Sequence, residues 1–271
     1  MKKSSSSKLF LMALPLILSA ACGDGTTAML SELDASHSTG VVVRRDKGLA
    51  AADIQDTVDR YRQDLGGVNN IGAVGTQPEG HREINWDGVP AAQSAPNLFP
   101  GDFFKARGIL ISAPCNQLQV SAKVGESDVE FGNLNRLLPK LFSTFSPEKL
   151  FAPLGSNILE MTFTVPGSLE PATVTSFGAV FTDVDLKNVS KIEYYDQKGK
   201  NILTVPVDAV DNSNESLSFV GVKFTDGRRI AKVRITNGNV NLGYSSGEGH
   251  GKDAVAVDDF LYGEPAKSVK W

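Results

Sequence analysis

Residues 191–236 read KIEYYDQKGKNILTVPVDAVDNSNESLSFVGVKFTDGRRIAKVRIT. The run 191–207 turns at Gln197-Lys198-Gly199 and predicts a β-hairpin. SLSFVGVKF (216–224) follows, then a turn at Asp226-Gly227, then RIAKVRIT with Ile230, Val233 and Ile235 as its apolar residues. The same short-strand rhythm extends outward in both directions. GILIS (108–112) and QLQVSAK (117–123) are strands, and in NILEMTFTV Leu159, Met161, Phe163 and Val165 share a face. SFGAVFTDV (176–184) is apolar enough for a central strand, and AVAVDDFLYG (254–263) closes the series. Parallel neighbours would need crossover helices, and no helical run separates these segments. The reading is an all-β fold, an antiparallel jelly-roll-like β-sandwich, occupying residues 50–265 as a single domain with a short tail at 266–271.

One helix precedes the strands. In AADIQDTVDRYRQDLGG, Ile54, Val58, Tyr61 and Leu65 form one apolar stripe, which predicts a short N-terminal amphipathic helix over 53–65. Asp53 is the expected N-cap and Gly66 the glycine after the last turn. Packing on its own domain is the expected use of the stripe.

The first residues are an address. MKKSSSSKLFLMALPLILSAAC begins with Lys2, Lys3 and Lys8 and continues in an apolar run from Leu9 to Leu18. That run is too short for a bilayer core of about 30 Å, so 1–21 reads as a signal peptide. Ser19, Ala20 and Ala21 before Cys22 resemble the lipobox of bacterial lipoproteins, although Leu18 lies one place further from the cysteine than is usual. The resemblance implies diacylglycerol on Cys22 and cleavage before it, so the expected membrane partner is reached through lipid. Gly23, where an Asp would favour inner-membrane retention, points to an outer-membrane lipoprotein of the cell envelope. Residues 22–49, rich in small and polar side chains, are the expected tether.

Composition narrows the function. Apolar residues are 41%, charged residues 21% and the net charge −4, and removal of 1–21 leaves 24 basic against 31 acidic residues. Such a chain is not suited to a phosphate backbone, so no nucleic acid is expected as partner. Cys115, without a disulfide partner once Cys22 is lipidated, is expected as a buried, unreactive thiol. His37, His81 and His250 share no ligand spacing and are expected in surface loops. The sequence contains no nucleophile elbow, HExxH pair or phosphate loop.

A longer resemblance rests on GHREINWDGVP (80–90), LFPGDFFKARGILISAP (98–114), LFSTFSPEKLFAPLGSNILEMTFTVPG (141–167), FGAVFTDVDL (177–186), LSFVGVKFTDGRRIAKVRITNGN (217–239) and VDDFLYGEP (257–265). In these runs the chain resembles a group of exported bacterial proteins of uncharacterised function, of the type often associated with PEP-CTERM sorting segments. The chain has AKSVKW after Pro265 in place of such a segment, and the lipid is expected to replace that anchor. The resemblance implies a fold and a location, not an activity. The closing strand with Asp258 and Asp259 before Phe260 also resembles jelly-roll carbohydrate-binding modules, where an acid on the last strand helps hold a structural calcium.

Calcium takes six to eight oxygens. The candidates are Asp87 beside Asn85, Asp183 with Asp185, and Asp258 with Asp259. On a strand Asp183 and Asp185 would share a face, whereas Asp258 and Asp259 could enter one site only through a bulge. The loop 208–215 (DAVDNSNE) lacks EF-hand spacing. For glycan, the aromatics Trp86, Tyr194, Tyr195, Tyr244 and Tyr262 were weighed. Trp86 reads as a core anchor, and Tyr244, in the glycine-rich loop 238–251, followed by Tyr195, are the expected contacts. The function these residues point to is a non-catalytic surface module binding glycan or another envelope or matrix component. A jelly-roll glycan hydrolase is the alternative, and a structural or adhesive envelope protein the next.

Overall fold

Apolar side chains at every second position can be covered only by stacking one sheet on another, and two antiparallel sheets do so here. The computed structural model describes residues 40–243, 247 and 249–268. Cys22, His37 and Tyr244 therefore lie outside the described residues. The first sheet contains β1 (Val41–Gly48), β2 (His81–Ile84), β4 (Leu118–Val120), β5 (Phe151–Pro153), β8 (Ser176–Thr182), β11 (Leu217–Phe224) and β13 (Ala256–Gly263). Its order is β1-β11-β8-β13-β5-β4, with β2 also on β13. The second contains β3 (Ile109–Ser112), β6 (Ile158–Thr164), β7 (Pro171–Thr173), β9 (Lys191–Tyr195), β10 (Asn201–Pro206), β12 (Lys232–Thr236) and β14 (Ala266–Lys267). Its order is β10-β9-β12-β6-β7-β14, with β3 on β6. From β10 to β14 each strand lies in the opposite sheet from the one before, so the chain laces the sandwich together.

The buried faces meet in one core. Trp86, Phe151, Phe177 and Phe260 come from the first sheet and its flank, and Met161, Phe163, Tyr194, Val233 and Ile235 from the second. Trp86 stacks on Phe151 with ring centroids 4.0 Å apart, and its Nε1 donates to the Asp258 carbonyl at 2.8 Å. It is the core anchor its sequence context predicts. Tyr194 and Tyr262 are also buried, with hydroxyls donating to the Phe177 and Arg107 carbonyls.

The helix α1 (Ala51–Asp64) covers the outer side of the first sheet. Ile54, Val58, Tyr61 and Leu65 are the residues it buries against Val180, Leu217, Phe219 and Leu261. Its start differs from the expected one. Asp53 is not the N-cap but the third residue of the first turn, where its carboxylate accepts the Leu49 and Ala50 N–H groups. Gly66, with φ 109°, follows the last turn as expected.

Four further expectations are corrected. Residues 41–48 are not tether but the edge strand β1, paired along its length with β11. Ala266 and Lys267 are not free tail but β14, paired with β7. Cys115 is exposed rather than buried, because the chain turns there from Ala113 to Asn116 and leaves the thiol at the surface, where it donates to the Gly155 carbonyl. His81 lies in strand β2 rather than a surface loop and is 1% exposed, with Nε2 2.6 Å from Glu83 Oε1.

Candidate functional site

The alternation that buries Val233 and Ile235 must turn Lys232 and Arg234 to the other side of β12. The same rule puts Glu160 and Thr162 of β6 and Glu193 and Tyr195 of β9 on that outer face, while Tyr194 goes to the core. The strands are in register, with Arg234 opposite both Glu160 and Glu193. Arg234 donates to Glu160 through Nε at 2.9 Å and Nη2 at 2.6 Å, and Lys232 reaches the same carboxylate at 3.2 Å. Burial alone would raise the Glu160 pKa, but these cations outweigh it and hold the carboxyl below its ordinary range. Glu160 is thus a fixed anion and not a proton donor for general acid chemistry.

Tyr195 is half-buried in this charged surface. Lys232 Nζ lies 4.7 Å and Arg234 Cζ 5.8 Å from its ring centroid, and its hydroxyl donates to Glu193 Oε1 at 3.2 Å. Its carbonyl accepts the Ala231 N–H. Ala231 opens onto a groove of about 910 Å³, shared by Thr162 of β6, Glu170 and Ala172 at β7, Gln197 in the β9–β10 turn and Lys267 of β14. A second pocket of about 310 Å³ continues beyond Gln197, between the β9–β10 turn and Gly227-Arg228-Arg229. Thr162, Lys232 and Tyr195 are register partners across β6, β12 and β9, and Thr162 is where this row meets the larger groove.

The calcium candidates are divided. A register shift between Val257 and Phe260 in β13 is the bulge that lets Asp258 and Asp259 meet one partner, Ser146. Asp258 accepts the Phe145 N–H at 2.6 Å and the Ser146 N–H at 3.3 Å, and Asp259 accepts the Ser146 hydroxyl at 2.6 Å. Arg62 Nη2 stands 3.7 Å from Asp259 and makes a two-pronged pair with Glu83. Burial, reinforced by the neighbouring Asp259, pushes Asp258 well above the usual carboxylate range, and burial pushes Asp259 up to about 6. Of the two, Asp258 is the carboxyl whose surroundings favour the protonated form more strongly. Asp87 accepts the Glu148 and Lys149 N–H groups nearby.

Asp183 and Asp185 do not share a strand face. β8 ends at Thr182, and Asp183 has φ 66°, which breaks the alternation. Asp185 accepts the Ser213 N–H, and Asp253, which was not singled out in the sequence, accepts the Asp185 and Leu186 N–H groups. Among the described residues no three His, Cys, Asp or Glu side chains form a group that could hold a metal ion. Asp87, Asp185 and Asp258 already accept backbone N–H groups and Asp259 the Ser146 hydroxyl, which leaves these four with fewer oxygens to offer toward the six or more that calcium takes.

The outer-face ladder of Glu160, Lys232 and Arg234 was also not singled out. Its signal was the polar half of the alternation in KVRI and LEMTF, which sequence reading used only for its apolar half. Comparison of the chain with protein-family models and with curated proteins finds no match.

Proposed function

We propose that this protein is a lipid-anchored envelope protein whose sandwich binds glycan on the outer face of its second sheet. The observation that carries the reading is Tyr195, partly exposed amid hydrogen-bonding side chains and bonded through its carbonyl to Ala231, which lines a groove of about 910 Å³. A sugar ring offers a C–H face to an aromatic and hydroxyls to surrounding polar groups, and this surface has both. The carboxylates on the face are tied to cations, and the other acid pair, Asp258 and Asp259, is buried, which favours binding over hydrolysis. Cys22 supplies the anchor in this reading. Among the described residues no helix is long and apolar enough to cross a membrane.

The test is a glycan array probed with the full chain in detergent, followed by titration of whatever is retained. Removing the stacking ring removes on the order of 1–2 kcal/mol of buried apolar area. Tyr195→Ala should therefore weaken binding about tenfold. No retained glycan, or affinity indifferent to Tyr195, leaves a structural envelope role in its place. Cys22→Ser should shift the protein from the membrane to the soluble fraction, and unchanged fractionation would refute the lipid anchor.

A further inference from the structure

The pocket of about 310 Å³ at the β9–β10 turn is lined by three cations, Lys198, Arg228 and Arg229, against one carboxylate, Asp196. The cations differ in what they already hold. Arg228 is matched, with Nη2 2.7 Å from Asp226 and its guanidinium stacked 4.4 Å over the Phe224 ring. Arg229 is half-buried and has no carboxylate partner among the described residues. It donates Nε to Thr173 Oγ1 at 2.8 Å and Nη2 to the Thr173 carbonyl at 2.5 Å, and among the described residues Nη1 has no acceptor. Lys198 is exposed at the tip of the turn and has no ion pair among the described residues. Asp196 is engaged within the turn, where Oδ1 accepts the Lys198 and Lys200 N–H groups.

A guanidinium taken partly out of water without a counter-charge is destabilised relative to its solvated form. Burial accordingly lowers the Arg229 pKa. Folded proteins normally match such a group with a carboxylate, and here Arg229 lines a pocket instead. We propose that this pocket is a subsite for the carboxylate of an acidic sugar, received by Arg229 and Lys198, so that the glycan bound on the outer face carries uronic acid residues. The inference rests on the glycan reading above and names the substrate class within it. Gln197 lines both hollows, so an oligosaccharide lying along the groove past Ala231 would bring a ring substituent to Arg229. The planar guanidinium fork matches a two-oxygen carboxylate better than it matches a hydroxyl.

The experiment titrates the full chain in detergent with a galacturonic acid tetramer and with the same tetramer methyl-esterified. The free acid should bind roughly tenfold more tightly at low salt, the size expected of a charge-assisted contact. The preference should shrink as salt rises. Arg229→Gln should bring the two affinities together without weakening the ester, and Arg229→Lys should restore part of the difference. Lys198→Ala, on an exposed turn that leaves the core untouched, should reduce the preference and carries the test if Arg229→Gln melts early. Equal binding of acid and ester by the unaltered protein, a preference that survives both substitutions, or binding of neither tetramer overturns the subsite. Neutral glycans retained through Tyr195 without acid preference would sink the subsite alone, and an array with no retained glycan would sink the outer-face reading with it.

Discussion

Asp258 and Asp259 are chemically identical neighbours that one bulge turns toward the same serine. Adjacent aspartates in a closing strand were visible in the sequence, and so was the condition under which they could meet. The bulge was not, because it is set by where Phe145 and Ser146 pass over β13, more than a hundred residues away in sequence. The consequence for stability is testable at this scale. Asp258→Asn keeps an oxygen for the Phe145 and Ser146 N–H groups and replaces a carboxyl whose neutral form burial favours with a neutral amide. Because burial favours the neutral form of Asp258, this variant should leave the melting temperature at pH 7.5 unchanged or higher. Asp258→Ala strands those N–H groups and should destabilise by about 1–3 kcal/mol. Thermal melts of the two variants would decide the matter, and an Asn variant as damaged as the Ala variant would refute a neutral Asp258. Tyr195 and Tyr194 give the opposite lesson. Their opposite orientations follow from strand geometry alone, and only the choice of which one faces water needed the partners on β12.

At the scale of elements, α1 was legible in detail because its stripe is local. What it packs on was not. Gly221 and Gly178 lie opposite each other in β11 and β8, and a Cβ at either would come within 2.8 or 2.9 Å of the Tyr61 ring. The ring lies over this bare stretch of sheet and its hydroxyl donates to the Val222 carbonyl at 2.9 Å. Tyr61→Ala should cost about 3–5 kcal/mol, as other large aromatic truncations do, and Tyr61→Phe about 1 kcal/mol for the hydrogen bond. Gly221→Ala should cost about 1–3 kcal/mol by overpacking. The two sites touch, so in the Tyr61→Ala background the added methyl should cost less, and strictly additive losses in denaturant unfolding would contradict the contact. β1 escaped sequence reading because an edge strand carries charges that look like tether. Those charges have partners. Arg44 pairs with Asp64 at 2.8 Å, and Asp46 accepts the Thr57 hydroxyl at 2.6 Å, so the polar side chains of β1 fasten α1 to the sheet.

For the molecule as a whole, the two-sheet architecture was readable because period-two alternation repeats in segment after segment. The groove was not, because it is assembled from β6, β7, β14 and the β9–β10 turn, which no local window contains together. One property belongs to the whole domain rather than to any site. Burial pushes Asp259 and Asp253 up to about 6, burial and Glu215 push Glu130 up to about 7, and Asp258 stands higher than its ordinary value as well. Each of these groups therefore binds protons more strongly folded than unfolded, where carboxyls titrate near 4. Between about pH 4 and 7 these groups bind more protons in the native state than in the unfolded chain, so the stability they contribute is lost as pH rises through that window. The carboxylates held low, Glu83 by His81 and Arg62 against the effect of burial and Glu160 by its two cations, contribute stability that is lost only in stronger acid. Their loss lies below the window and does not oppose the trend within it. The melting temperature at constant ionic strength should accordingly be higher at pH 5 than at pH 7.5, and Asp258→Asn should flatten the difference. A melting temperature that climbs from pH 5 to 7.5 would contradict the upward shifts of these buried acids.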